Sequence, residues 1–162
     1  MRSIVIHPDP VLRQVATPVT RFDAWLAELF TDMARVRQAM GGCGIAAPQV
    51  GESVRAFLLD PRQADGSVPP RHAGVPVLAL VNPVILDIAE EEEWGAEGCL
   101  SLPDTMSPDG RIPVKRPVRL RYSGQKPDGT PVSGTLEGFA ARAFLHEFDH
   151  LEGRLILDYR EG

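Results

Sequence analysis

Two cysteines in 162 residues are too few for a disulfide framework. Cys43 and Cys99 allow one bridge at most, of the kind a secreted protein uses. No leader pattern supports it, because Met1-Arg2-Ser3 runs straight into Ile4-Val5-Ile6. Reduced thiols in the cytoplasm are the expectation. No run of about 18 apolar residues occurs, so no membrane-spanning helix is expected. Lysine and arginine form no run, and the net charge is −5. Both facts argue against nucleic acid as a direct ligand. They are compatible with docking on a ribosome near its exit tunnel through a local patch. The glycines at 41, 42 and 44 lack the Gly-Lys-Ser/Thr ending of a phosphate loop. No internal repeat and no linker interrupts the chain, and its length fits one domain, 1–162. Nothing long and apolar demands a partner, so a monomer is expected.

What is present is concentrated at one place. His146-Glu147-Phe148-Asp149-His150 reads His-Glu-x-x-His inside an apolar helical pattern. Residues four apart share a helix face, so both imidazoles can serve one metal ion. Glu147 lies about 100° round the helix and can reach water beside that ion without being a ligand. A catalytic site of this kind usually takes a third protein ligand. Only Leu151 to Gly162 follow, and Ile156 stands where a third histidine would fall in the extended form of the motif. The third ligand is therefore expected upstream, from Cys43, Cys99, His7 or His72. Cys99 is the best candidate. It sits in Glu97-Gly98-Cys99-Leu100-Ser101-Leu102-Pro103, and thiolate is a strong ligand for zinc or ferrous iron. The competing reading of Cys99 is a small buried hydrophobe.

The rest reads as an α+β protein. Phe22, Trp25, Leu26, Leu29, Phe30, Met33, Val36 and Met40 recur at helical spacing over Thr20–Met40. Thr20 and Asp23 resemble a capping box, and Gly41-Gly42 ends the helix. Strands are expected over Val54–Asp60, Leu78–Val81 and Val84–Ile88, the last two broken by Asn82-Pro83. The loop 61–76 has the length of a functional segment. Glu90–Glu93 reads as a solvated turn. Val114, Val118, Leu120 and Tyr122 belong to strands, and Val132–Leu136 pairs back as a hairpin after a turn at 124–129. The motif helix spans Gly138–Glu152, and Leu155-Ile156-Leu157 reads as a short last strand. The fold expected is mixed or antiparallel strands packed around a central C-terminal helix carrying the histidines, with Cys99 on a strand across from it.

Three motifs in order now carry a resemblance to a known family. Gly42-Cys43-Gly44-Ile45-Ala46-Ala47-Pro48-Gln49, Glu97-Gly98-Cys99-Leu100-Ser101 and His146-Glu147-Phe148-Asp149-His150 resemble those of bacterial-type peptide deformylases. The likeness extends to Pro8-Asp9-Pro10-Val11-Leu12-Arg13, Val81-Asn82-Pro83 and Arg116-Pro117. It implies a metal-dependent hydrolase that removes the N-formyl group from the formyl-methionine of new polypeptides and releases formate. It implies Cys99, His146 and His150 as ligands, with Glu147 as the base. Gln49 and the Leu100 backbone N–H would be oxyanion donors, whereas Gln49 taken alone reads as a surface residue. The peptide would lie extended along Gly44-Ile45 and near Gly98, with Ile45 and Leu100 as candidate pocket walls. The implied ion is Fe²⁺ in the cell, with Zn²⁺, Ni²⁺ or Co²⁺ as alternatives. Glu97 is a candidate to support the site, with Arg111 or Arg142, or an ordinary surface ion pair.

The chain departs from the family pattern at three places. Leu145 replaces a glutamine before the first histidine, Cys43 replaces a branched aliphatic, and the chain ends soon after Asp158-Tyr159. Two other readings stand beside this one. A hydrolase of other N-acyl peptides would share the site and differ in substrate. A non-catalytic metal-stabilised peptide-binding protein would need a fourth ligand, for which Cys43 is the candidate.

Overall fold

The computed structural model describes residues 1–102 and 111–159. Helix α1 spans Ala24–Met40 and helix α2 Gly138–Leu151. Strands β1 (Gly44–Ala46), β2 (Ala56–Leu59), β3 (Leu78–Ile88), β6 (Arg119–Gln125) and β7 (Pro131–Glu137) form one sheet in the order β1-β2-β3-β6-β7. Every neighbouring pair in it is antiparallel. Strands β4 (Glu92–Glu97) and β5 (Ile112–Pro117) pair antiparallel as a separate ribbon.

Alternation along the strands explains how the layers stack. In β2 and β3, Phe57, Leu59 and Leu80 face the core built on α2. Ala56, Leu58 and Val81 face the core built on α1. Successive side chains of a strand point to opposite faces, so β2 reads as a continuous apolar run because a helix covers each side. Phe144 anchors the α2 side. It meets Phe57 edge-on at 5.1 Å and Tyr122 at 5.1 Å. Such pairs add about 0.5–1.5 kcal/mol beyond area burial. The ribbon packs on the remaining side of α2, where the Arg142 guanidinium donates to the carbonyls of Val114 and Glu93. The motif helix is therefore central, as the pattern predicts.

Several local expectations are corrected. Helix α1 begins at Ala24, because the Asp23 carboxylate takes the cap position and accepts from the Trp25 N–H. Thr20 lies outside it. Trp25 and Met40 are 40% and 44% exposed, so the helix buries a narrower stripe than its apolar spacing suggests. Asn82-Pro83 does not break β3. Asn82 takes φ 51° and the ladder to β6 shifts register there, so the strand bulges and continues. Its side chain makes this possible: Oδ1 accepts from Val19 N–H, while Nδ2 donates to Val19 O and Gln125 Oε1. Glu90–Glu93 is exposed throughout, but Glu92 and Glu93 already belong to β4. Leu155-Ile156-Leu157 is no strand. Ile156–Tyr159 forms a 3-10 turn whose Ile156 packs with Ile112 and Val114. Pro103, at the end of the cysteine motif, and 160–162 lie outside the described residues.

Replacing Asn82 tests the bulge. Asn82→Ala removes three hydrogen bonds and puts a Cβ-bearing residue without local bonding at positive φ. It should cost about 3 kcal/mol in urea unfolding. Asn82→Gly should cost less, since it relieves the backbone part. An unchanged midpoint for Asn82→Ala would rule this role out.

Candidate metal centre and reaction pocket

The site is assembled where α2, the end of β4 and the turn after β1 meet. His146 and His150 lie four residues apart on α2, one turn from each other, with ring centroids 5.3 Å apart. Cys99 lies two residues past β4, not on the strand itself. Its Sγ stands 3.5 Å from His150 Nε2. The ligand atoms of Cys99, His146 and His150 all lie within 4.8 Å of one another. His7, His72 and Cys43, the other upstream candidates, are not in this group.

The environment of these three groups fits a cation. Burial disfavours charge on His146, yet Cys99, Glu97 and Glu147 surround it and raise its pKa well above the ordinary histidine value. Acidic groups converging on one ring make a place where positive charge is stabilised. Burial drives the pKa of His150 well below that value, with the charges of His146 and Arg116 adding to the effect. Its ring is neutral and offers a lone pair. His146 Nδ1 meets Glu97 Oε1 at 2.9 Å, the outer contact that orients a ligating histidine and leaves its other nitrogen free.

Glu97 is buried, not part of a surface ion pair. Arg116 grips it with two nitrogens at 2.9 Å each, and Arg142 Nη1 donates to Oε2 at 2.7 Å. Burial alone would raise its pKa, but hydrogen bonds from Arg116 and His146 and their charges outweigh it. The carboxyl is held well below the usual range. Arg142 was legible as a partner. Arg116 was not, although its sequence Arg116-Pro117 stood out. Arg116 also binds Asp149 Oδ2 at 2.7 Å, and Tyr159 donates its hydroxyl to the same oxygen at 2.8 Å.

Glu147 is 5% exposed, and burial pushes its pKa up to about 7 against the opposing charge of His146. A carboxyl tuned near neutrality suits proton transfer in both directions. Its Oε1 has no hydrogen-bond partner among the described residues. Gly44 explains how β1 comes so close, because a Cβ there would sit 2.6 Å from Glu147 Oε2. Gln49, 1% exposed, is not a surface glutamine. Its Oε1 accepts from Ala46 N–H at 2.9 Å, and its Nε2 donates to Ser101 Oγ at 3.2 Å and faces Cys99 Sγ at 3.7 Å.

A pocket of about 360 Å³ opens beside these groups. Its lining includes Gly44, Gln49, Gly98, Leu100, Glu147 and also His72, which the motifs did not single out. Ile45 is different. Its side chain is fully buried in the α1-side core, so β1 presents backbone at that position. Leu145 also turns away, packing in the α2-side core instead of beside the ligands. Cys43 lines the pocket, and burial raises its thiol to about 11, so it is protonated at neutral pH.

Comparison with known proteins gives a consistent picture. The polypeptide deformylase family model matches residues 1–162. A peptide deformylase of Thermotoga petrophila is 40% identical over 158 residues, covering 98% of this chain and 86% of the relative. The crystal structure of peptide deformylase from Thermotoga maritima superposes with a TM-score of 0.84 at 40% identity, covering 98% and 96% of the two chains. A peptide deformylase from Synechococcus elongatus, in complex with actinonin, gives 0.86 at 34% identity and covers 99% and 81%.

Two substitutions probe the assembly. Gly44→Ala should displace Glu147 and lower turnover by roughly a hundredfold, with some loss of stability because the new Cβ would also stand 3.0 Å from Leu59 Cδ2. Glu97→Gln should weaken retention of the bound ion about 10- to 100-fold in a chelator competition. Unaltered retention would mean that Glu97 does not orient His146.

Proposed function

The chain belongs to the polypeptide deformylase family, and on that premise we propose how its residues remove the N-formyl group from newly made polypeptides. The observation that carries the proposal is the convergence of Cys99, His146 and His150 beside the buried Glu147. Cys99 Sγ and one ring nitrogen from each histidine would hold a divalent cation. When bound, it supplies Lewis-acid activation of water and of the formyl carbonyl. One thiolate and two imidazoles suit Fe²⁺, Zn²⁺, Ni²⁺ or Co²⁺. Iron(II) is our assignment for the cell, from the resemblance in sequence.

Glu147 does the proton work. It takes a proton as the water oxygen bonds to the formyl carbon, and it returns that proton to the leaving nitrogen as the C–N bond breaks. The products are formate and a free amine. Such transfer is worth typically about 10²–10⁴-fold. The carbonyl oxygen becomes an oxyanion during the addition. The Gln49 Nε2 amide and the Leu100 backbone N–H are assigned to stabilise it, each at a cost of about 3 kcal/mol if lost. Gln49 is pre-set for this, since its Oε1 is tied to Ala46 N–H and its amide nitrogen faces the cysteine.

The substrate backbone is assigned to the free edge of β1. Among the described residues that strand pairs only with β2 and ends the sheet. A peptide lying along Gly44 and Ile45 would extend the sheet by one strand, with Gly98 opposite. Methionine would then enter the pocket past Leu100. Among the described residues no fourth protein ligand joins the three, which favours an open catalytic site over a closed structural one. The protein would act as a single-domain monomer in the cytoplasm with reduced thiols, on nascent chains close to the ribosome. No helix among the described residues is long and apolar enough to cross a membrane.

Formate release from a formyl-methionyl peptide tests this reading. Protein prepared without oxygen should release formate in proportion to bound ion. Glu147→Gln should lower kcat at least a hundredfold while keeping the ion. Equal rates on acetyl- and formyl-peptides would favour the broader acylase, and no release from ion-loaded protein would overturn the enzyme.

A further inference from the structure

The pocket has a far end that the reaction groups do not account for. It runs along α2 from Glu147 past Ala143 to Phe139, a little over two turns or about 12 Å of helix. Ala143 is small and leaves room on that face. His72 stands at the end. It comes from a 3-10 turn at Pro70–His72 within the loop 61–76, and it is 6% exposed. Its ring stacks on Phe139, with centroids 5.5 Å apart and planes 18° apart. Arg71 Nε–H donates to His72 Nε2 at 3.3 Å and fixes the ring. Behind it lies a second cavity of about 220 Å³, lined by Arg37, Gln38, Gly41, Gly42, Arg62 and His72 itself. The imidazole borders both spaces.

We propose that His72 is a specificity-determining residue, the partition that ends the pocket for the substrate's first side chain. The identity of that occupant rests on the deformylase reading. The partition itself rests on the cavities and the stacking. Pocket length is then set by a loop side chain propped against α2, not by the residues that perform the hydrolysis. Burial lowers the pKa of His72, and the charges of Arg71, Arg111 and Arg37 lower it further. The ring is therefore neutral at pH 7, which suits a wall against an apolar side chain. Gly41 and Gly42 also border both spaces, but they carry no side chain to fill the gap. Loss of the imidazole would open the pocket toward the second cavity and give a straight side chain longer than methionine room to be buried.

The test uses the ion-loaded full chain and two formyl-dipeptides. One begins with norleucine, the other with 2-aminooctanoic acid, which is longer by two methylenes. His72→Ala should raise the ratio of kcat/KM for the longer over the shorter peptide by on the order of tenfold or more. His72→Phe keeps a ring against Phe139 and should keep the ratio of the unaltered protein. His72→Trp lengthens the partition and should disfavour norleucine relative to alanine, which keeps the proposal testable if His72→Ala does not fold. An unchanged ratio in His72→Ala, or an equal change in His72→Phe, overturns the partition. Dissociation constants for the same side chains on a peptide with a hydrolysis-resistant cap separate the two levels. A shifted affinity ratio in His72→Ala without formate release from any form would sustain the partition and sink the deformylase reading. An unshifted affinity ratio would sink the partition whatever the turnover.

Discussion

The buried carboxylate of Glu97 holds the active arrangement together. It receives Arg116 from β5, and Arg142 and His146 from α2. One side chain thus ties both strands of the ribbon to the motif helix. Cys99 follows two residues later in the chain, so the same clamp places the thiolate against the histidines. Burying such a network is costly. Several kcal/mol of desolvation per ion are offset only when geometry is good and the remaining lone pairs are satisfied. Here both oxygens of Glu97 carry partners, and Asp149 shares the charge of Arg116. An apolar cluster could join the ribbon to the helix as firmly. It could not orient His146 Nδ1. The network is better understood as a positioning device than as a source of net stability.

The central position of α2 follows from the same need. A helix with one apolar and one polar face can bury both only between two layers. The sheet takes Ala141, Phe144 and Leu151, and the ribbon takes Arg142 and His146. Ligands placed on such a helix inherit its rigidity. The close approach of β1 to Glu147 then removes water from the carboxyl. Burial raises its pKa toward neutrality and makes a side chain that is normally fully ionised into a group able to give back a proton.

How much of this was legible depended on range. His146, Glu147 and His150 could be read because four-residue spacing on a helix is a local property. The helix itself could be read from its apolar stripe and from Gly153. Cys99 was one of several upstream donors, preferred for its thiolate and its local sequence, and the order of motifs then pointed to the same residue. What escaped depends on contacts across the fold. Arg116 looks like any strand arginine until β5 is laid against α2. Leu145 and Ile45 neighbour functional residues in sequence, but a helix or strand sends adjacent side chains to different faces, and both ended in cores. Asn82-Pro83 carries a strong breaking signal. The side chain of Asn82 overrides it through bonds to Val19 and Gln125, residues distant in the chain. Ile156 is drawn into a cluster with Ile112 and Val114, which a turn satisfies as well as a strand.

The unpaired atoms show where function opposes stability. Among the described residues three buried side-chain atoms lack a hydrogen-bond partner, namely Glu147 Oε1, His150 Nδ1 and Arg37 Nε. Each such atom costs about 1–3 kcal/mol. A protein selected only to fold would place a leucine at 147. Glu147 Oε1 lies in the reaction pocket, where water and substrate must find unsatisfied groups to bind, whereas His150 Nδ1 belongs to a ring that turns its Nε2 to Cys99. The hydrogen-bonding capacity left open at Glu147 is what the pocket has to offer a ligand. The densely satisfied Glu97 network beside it supplies the rigidity that keeps Glu147 and His150 from relaxing into partners of their own.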